Sequence, residues 1–228
     1  MTLAIFDLDN TLIAGDSDHQ WGDFLVRRGE VDGERYQAAN DRFYQDYLDG
    51  SLDILAYQEF VLSELKGRPL GELDALRQAF LKEVIDALWL PRAEALVAEH
   101  RARGDTLMII TATNDFITAP IAERLGVPHL IATRAERDGD GLYTGRVAGV
   151  PSYREGKVER LAHWLDDHGE SLAGSWFYSD SHNDLPLLGK VDNPVAVDPD
   201  PTLARAARER GWPILSLRDQ ADDAGAAS

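Results

Sequence analysis

Apolar and polar positions along the chain follow two rhythms. Near the start, Leu3-Ala4-Ile5-Phe6 is an unbroken apolar run that stops at Asp7-Leu8-Asp9-Asn10-Thr11. Four apolar residues in succession predict a strand buried on both faces, as in a parallel sheet. Residues 16–88 then keep the helical period. Trp21, Phe24 and Leu25 lead to Gly29, and Tyr36, Ala39, Phe43 and Tyr47 lead to Gly50. Ile54, Tyr57, Val61 and Leu65 follow Asp53, a fitting N-cap, and Leu73, Leu76 and Phe80 follow Pro69. An aromatic-rich stripe at this spacing predicts the core of a small helical bundle rather than a cofactor pocket.

From Pro91 helices and strands alternate. The pattern predicts a helix over 91–103 with proline at its start and Gly104 after its end, a strand over 106–111, a helix over 116–125 and a strand over 129–133. Asp138-Gly139-Asp140-Gly141 reads as a hairpin turn. A helix over 156–164, a strand over 176–178, a helix over 185–189, a strand over 195–197, a helix over 202–210 and a last strand over 213–217 complete the series. Such alternation defines an α/β fold, a doubly wound and mostly parallel sheet. The helical block is then an insertion at 16–89 into an α/β core made of 1–15 and 90–217, and 218–228 is expected to be a disordered tail.

The strand ends carry the chemistry. Asp7, Asp9 and Thr11 crowd one spot, and carboxylates so close repel unless a cation or a reaction needs them. The strand at 107–110 ends in Thr111, and that at 176–179 ends in Asp180, followed by Ser181-His182-Asn183-Asp184. Ligands of open α/β sheets bind outside the carboxyl ends of the strands, so Asp7, Asp9, Thr111, Asp180 and Asp184 are expected at one rim. Gly156-Lys157 opens a helix and offers one cation there. Carboxylates, a hydroxyl and a lysine suit a hard divalent cation such as Mg²⁺ together with a phosphate.

On Asp7-Leu8-Asp9-Asn10-Thr11, Thr111-Ala112-Thr113, Gly156-Lys157 and Asp180-Ser181-His182-Asn183-Asp184, the chain resembles the haloacid dehalogenase superfamily of phosphohydrolases. Within it, the chain is similar to the phosphoserine-phosphatase-like branch, which inserts a helical cap after the first motif. The resemblance spans residues 1–215 and implies Asp7 as nucleophile and Asp9 as general acid and base. It further implies Thr111, Ala112 and Lys157 at the phosphate, Asp7, Asp9 and Asp180 at Mg²⁺, and Asn183 and Asp184 as supporting groups around the metal. Elementary chemistry agrees. A carboxylate can take the phosphoryl group, an acid two residues on lies on the same side of an extended chain, and a lysine steadies the equatorial oxygens. Asp184, just before Leu185-Pro186, also fits a helix N-cap, and His182 reads as a loop residue without catalytic duty.

Composition narrows the partners. The formal net charge of −17 over 228 residues disfavours nucleic acid and anionic membrane surfaces. No stretch reads as a membrane span or a signal peptide, and a chain without cysteine has neither disulfides nor a thiol nucleophile. A cytoplasmic enzyme acting on a small phosphate ester is expected, its oligomeric state unreadable from sequence.

Substrate choice is expected to lie with Asp16, Asp18 and Trp21. The resemblance to phosphoserine phosphatases, where a carboxylate at the position of Asp16 meets the substrate's amino group, implies that Asp16 and Asp18 select an ammonium-bearing ester; the other reading is that they cap the helix that follows. The run from Asp9 to Asp18, with Trp21 after it, also resembles the group of this branch assigned as bacterial histidinol-phosphatases. Histidinol phosphate is therefore the expected ester, with Trp21 or a cap tyrosine stacking on the imidazole. Phosphoserine is the alternative, its carboxylate needing Arg35, Arg42 or Arg77, and Ala112 stands where phosphoserine phosphatases usually have glycine. A phosphotransferase and a non-catalytic phosphate-binding protein are the remaining readings.

Overall fold

The structure, a computed structural model, describes residues 2–218. Strand β1 (Leu3–Phe6) leads into four helices, α1 (Ser17–Arg28), α2 (Gly33–Leu48), α3 (Ile54–Ser63) and α4 (Leu70–Glu83), closed by a 3₁₀ turn at Ile85–Leu88. Then come α5 (Pro91–Arg103), β2 (Thr106–Asn114), α6 (Asp115–Arg124), β3 (His129–Thr133) and a hairpin of β4 (Ala135–Arg137) and β5 (Tyr143–Val147). The chain finishes with α7 (Glu155–His168), β6 (Trp176–Ser179), a 3₁₀ turn at His182–Asp184, α8 (Leu185–Leu188), β7 (Asn193–Val197), α9 (Pro201–Arg210) and β8 (Ile214–Leu215).

Six of these strands form one parallel sheet in the order β3-β2-β1-β6-β7-β8. The α/β class expected from the alternation is the class observed. Side chains of β1 alternate between two apolar layers. Ala4 and Phe6 join Leu107, Ile109, Val195 and Val197 on one face, while Leu3 and Ile5 join Met108, Ile110, Phe177 and Ala196 on the other. The first layer runs on into the helices, where Trp21, Phe24, Val61, Leu73 and Phe80 are part of the same cluster. The helical stripe therefore buries itself against the sheet's own core, not in a separate bundle.

The helical block leaves and rejoins the sheet at one place. Ile13 and Trp89 form an antiparallel bridge, and the Ala14 N–H donates to the Leu88 carbonyl at 2.8 Å. β2 corrects an expected boundary, because it continues past Thr111 to Asn114. The β-prone Thr111 and Thr113 sustain it, and Asn114 pairs with Thr133 after a register irregularity. Asn114 then caps α6 by accepting from the Ile117 N–H at 3.3 Å. The expected tail falls at 218–228, and 219–228 lie outside the described residues.

Candidate active site

Register brings the strand ends level. Phe6 stands opposite Ile109 and Tyr178, and the Asp7 N–H donates to the Tyr178 carbonyl at 2.9 Å. The order of strands reverses direction around β1, which is where doubly wound sheets open a crevice. Just beyond, Asn10 takes φ 57°, a left-handed conformation that asparagine tolerates better than most residues. The Leu12 N–H turns back onto the Leu8 carbonyl at 2.8 Å, and the returning chain sets the Ser17 N–H 2.7 Å from Asp9 Oδ1. The Thr11 hydroxyl donates to Asp180 Oδ1 at 3.1 Å and accepts from the Asp180 N–H at 3.1 Å, tying the ends of β1 and β6 together.

Lys157 enters from the first turn of α7. A Cβ on Gly156 would lie 2.1 Å from the Pro151 carbonyl oxygen, so only glycine lets the chain turn tightly enough to start the helix there. The Lys157 Nζ donates to Asp7 Oδ1 at 2.8 Å and reaches Asp184 Oδ1 at 2.8 Å, while the Ser179 hydroxyl donates to Asp184 Oδ2 at 2.7 Å. All three ionisable groups are buried. Burial pushes the Asp7 carboxyl up to about 7, against the downward pull of Lys157, with Asp184 and Asp9 adding repulsion. Burial opposes the lysine's charge too, but Asp184 and Asp7 outweigh it and hold the ammonium above its ordinary range. Burial, then Asp7 and Asp184, likewise raises Asp180. The expected N-cap role of Asp184 is corrected here: its side chain makes no cap bond to α8. A buried ammonium is the stronger partner for that carboxylate, so it turns inward.

Asp9 is held from two sides. Beside the Ser17 bond to Oδ1, its Oδ2 accepts from the hydroxyls of Thr113 at 2.8 Å and Thr111 at 3.3 Å. Thr113 had no expected role, yet it shares a face of β2 with Thr111, the signal that period two carries. Thr111 and Ala112 border the cavity together with Asp7, Asp9 and Lys157. Asn183 borders it too and is braced by Tyr153 at 3.1 Å and Arg154 at 2.9 Å. Arg154 also donates to the Gly50 carbonyl at 2.6 Å, across to the helical block. His182 lies in the 3₁₀ turn, 2.8 Å from Asp200, and does not border the cavity.

The helical block supplies the opposite wall through Asp16, Asp18, Tyr44, Tyr47, Tyr57 and Gln58. The enclosed volume is about 30 Å³, room for little more than water. Asp16 both caps α1, accepting from the His19 N–H at 2.8 Å, and borders the cavity. Burial and then Asp9 push its carboxyl up to about 7. Asp18 is buried and accepts from Gln58 at 2.9 Å and Asn114 at 3.3 Å, while burial, Asp16 and Asp9 raise its carboxyl well above the usual range.

Trp21 is a correction. It does not border the cavity but packs against Phe24, Phe80 and Phe116 at ring distances of 5.6, 5.2 and 5.6 Å. Helical period identifies a buried face, not the neighbour that buries it. Trp21→Ala should lower stability by about 3–5 kcal/mol in thermal melts while leaving KM of the folded protein unchanged. The arginines are elsewhere as well. Arg35 and Arg42 border a separate groove on the helical block, and Arg77 donates to the Phe116 carbonyl at 3.0 Å and to Asp74 at 2.7 Å.

The donor set fits a hard cation in kind, being made of carboxylates with no competing thiolate or imidazole. Asp7, Asp9 and Asp180 do not present three side-chain oxygens within 4.8 Å of one another; among the described residues only His19, Asp23 and Asp41, at the surface of the helical block, meet that span. The side-chain oxygens of Asp9 are engaged by the Ser17 N–H and the Thr113 hydroxyl. Its main-chain carbonyl, by contrast, accepts from no described backbone N–H.

A parallel sheet with paired acids and a buried lysine at its carboxyl rim, roofed by helices, defines a hydrolase-type α/β fold. A haloacid dehalogenase-like hydrolase family model matches residues 4–189, so the chain belongs to that family, and it is a phosphatase within it. Among its relatives, a histidinol-phosphatase of Neisseria meningitidis is 45% identical over 219 residues, covering 95% of this chain and 99% of the relative. The phosphoserine phosphatase SerB1 of Mycobacterium tuberculosis is 36% identical over 221 residues, covering 94% of this chain and 70% of that protein. A crystal structure of a protein of unknown function from Bordetella pertussis superposes with a TM-score of 0.89 at 45% identity, covering 96% of this chain and 100% of that one. A phospho-aspartyl intermediate analogue of phosphoserine phosphatase shares the fold, at a TM-score of 0.69, 20% identity and coverage of 96% and 94%.

Proposed function

We propose that this chain is a Mg²⁺-dependent phosphomonoesterase that hydrolyses histidinol phosphate through an aspartyl-phosphate on Asp7. The observation that carries the reading is the Asp7 carboxylate fixed at 2.8 Å from buried Lys157, in the cavity that Asp9 also borders. An Asp7 oxygen attacks phosphorus and the ester P–O bond breaks, while Asp9 gives its proton to the departing alkoxide. Asp9 then takes a proton from the water that attacks the aspartyl-phosphate, and phosphate leaves with Asp7 regenerated. Lys157 and the Thr111 hydroxyl steady the transferring oxygens. The carboxylates of Asp7 and Asp180, with Asp9 through its main-chain carbonyl, would hold Mg²⁺, and Asn183 and Asp184 brace that side. The ion would neutralise phosphoryl charge next to the nucleophile. The residues 16–89 act as a cap, and a cytoplasmic site of action fits a chain free of cysteine.

The substrate assignment rests on the cavity wall and on the 45%-identical histidinol-phosphatase, of which the chain spans 99%. Asp16 and Asp18 border the cavity and no arginine does, among the described residues. An ammonium is well served there, whereas the carboxylate of phosphoserine would face acids. Steady-state kinetics on the two esters test this, and a higher kcat/KM for phosphoserine overturns it.

Asp16 also makes the preference pH-dependent. With its carboxyl near 7, it is neutral and a poor ammonium partner at low pH, and ionised above. The ratio of kcat/KM for histidinol phosphate to that for phenyl phosphate should therefore rise through about pH 7 and level off. The ratio cancels titration of Asp7, which both esters share. In Asp16→Asn the part of that rise belonging to Asp16 should vanish, leaving only titration of the ester's own imidazole and of Asp18, and the ratio above pH 7 should be about tenfold to a hundredfold lower, the worth of one charged hydrogen bond.

A further inference from the structure

Gln58, on α3, has a fully buried side chain that borders the same cavity as Asp9 and Lys157. Its amide nitrogen is committed twice, donating to Asp18 Oδ2 at 2.9 Å and to the Ala112 carbonyl at 3.4 Å. Its oxygen Oε1 is buried and accepts from no group among the described residues. Turning the amide over would not help while Asp18 is ionised. A half-turn would set Oε1 against the Ala112 carbonyl, which can only accept, and would strip Asp18 of a donor. A buried acceptor without a partner is costly, so an unanswered oxygen on a side chain that borders a binding cavity calls for a donor from the ligand.

The surroundings say which kind. Asp16 and Asp18 make this wall negative, and Phe43, Tyr44 and Tyr57 give it flat apolar surfaces. A planar group carrying N–H satisfies all three features at once. We infer that Gln58 is a specificity-determining residue, its Oε1 accepting a hydrogen bond from a nitrogen-bound proton of the phosphate ester, the ring N–H of the imidazole in the substrate proposed above. The inference rests on that reading only in placing the ester's phosphate at Asp7. Asp18 acts through Gln58 as a positioning residue, holding the amide so that oxygen and not nitrogen faces the ligand.

Sites built to bond a polar group reject analogues that lack it, because their own polar atoms are then left unpaired. The test compares kcat/KM on histidinol phosphate, O-phosphoserine and nitrogen-free phenyl phosphate for wild type, for Gln58→Met, which keeps length and removes the acceptor together with the donor to Asp18, and for Asp18→Asn, which keeps Gln58 and reports the share due to Asp18. Expected is a loss of about tenfold to a hundredfold on the nitrogen-bearing ester that wild type prefers, over and above whatever phenyl phosphate loses. Retained turnover of phenyl phosphate also reports that the variant is folded. If Gln58→Met does not fold, Gln58→Ala is scored on the same esters. Equal losses on all three esters, or a wild type indifferent to the nitrogen, overturn the inference. A wild type that favours phosphoserine overturns the proposed substrate alone, since Gln58 is then scored against the phosphoserine ammonium.

Discussion

Asp7→Asn is expected to abolish phosphate release, by at least about 10⁴-fold in kcat, while the protein stays folded. The amide keeps the shape of the carboxylate and an oxygen for Lys157, but its nucleophilicity is gone. Lys157 also retains its 2.8 Å contact with Asp184, so the buried ammonium is not orphaned. Thermal melting within a few degrees of wild type checks that half of the statement. The other half has a direct chemical readout: after an acid quench during turnover, wild type carries an acid-stable, alkali-labile acyl-phosphate, and the variant carries none. Activity in Asp7→Asn near the wild-type rate would sink the nucleophile assignment.

Lys157→Met is expected to fail in both respects, losing turnover and stability. Removing one partner of a buried ion cluster leaves uncompensated charge, typically at a cost of about 3–5 kcal/mol. Here two buried carboxylates, Asp7 and Asp184, lose their common cation. For a chain of this length the loss corresponds to a fall in Tm of about 6–20 °C. The pH dependence has a definite sign. A carboxyl whose folded pKa exceeds its unfolded one binds protons more tightly when folded, so stability declines as pH rises between the two values. In wild type that window for Asp7 runs from its ordinary value near 3.8 to about 7. Without Lys157 the window widens upward, so in chelator the variant should lose most stability relative to wild type above pH 7 and least near pH 4. An identical Tm difference at both pH values would count against the buried cluster.

How much of this was legible beforehand depended on whether the cause was local. Apolar runs ending in polar residues located β1, β2 and β6, and the carboxyl-rim rule then brought Asp7, Asp9 and Thr111 to one crevice, while Asp180, tied to Thr11 at the end of β6, does not border it. Lys157 was visible because a glycine preceded it at a helix start, and the structure supplies the reason in the Pro151 carbonyl. Other features needed contacts between distant segments. Local preference made Asp184 a helix cap, whereas the competing partner, Lys157, lies 27 positions away. Trp21 was assigned to the substrate through the resemblance of the stretch from Asp9 to Trp21 to histidinol-phosphatases, although Phe80 and Phe116 claim it. Gln58 carried no signal, since its meaning comes from Asp18 and Ala112, which reach it only after the helices have folded over the sheet.

The laced crossing at Ile13 and Trp89 has a mechanical consequence. The two connecting segments are knotted side by side there, but the block does not hang from them alone: Trp21 seats it on Phe116 and the Gly67 N–H donates to the Tyr143 carbonyl at 3.2 Å. Beside the cavity, the contacts of Gln58 with Ala112 and of Arg154 with Gly50 join the helical block to the rest of the chain, and a space of about 30 Å³ admits an ester only if contacts of this kind part. Reactant and both products would share that passage, so a staple across these two contacts should halt turnover with the chemistry at Asp7 left intact, and its release should restore it.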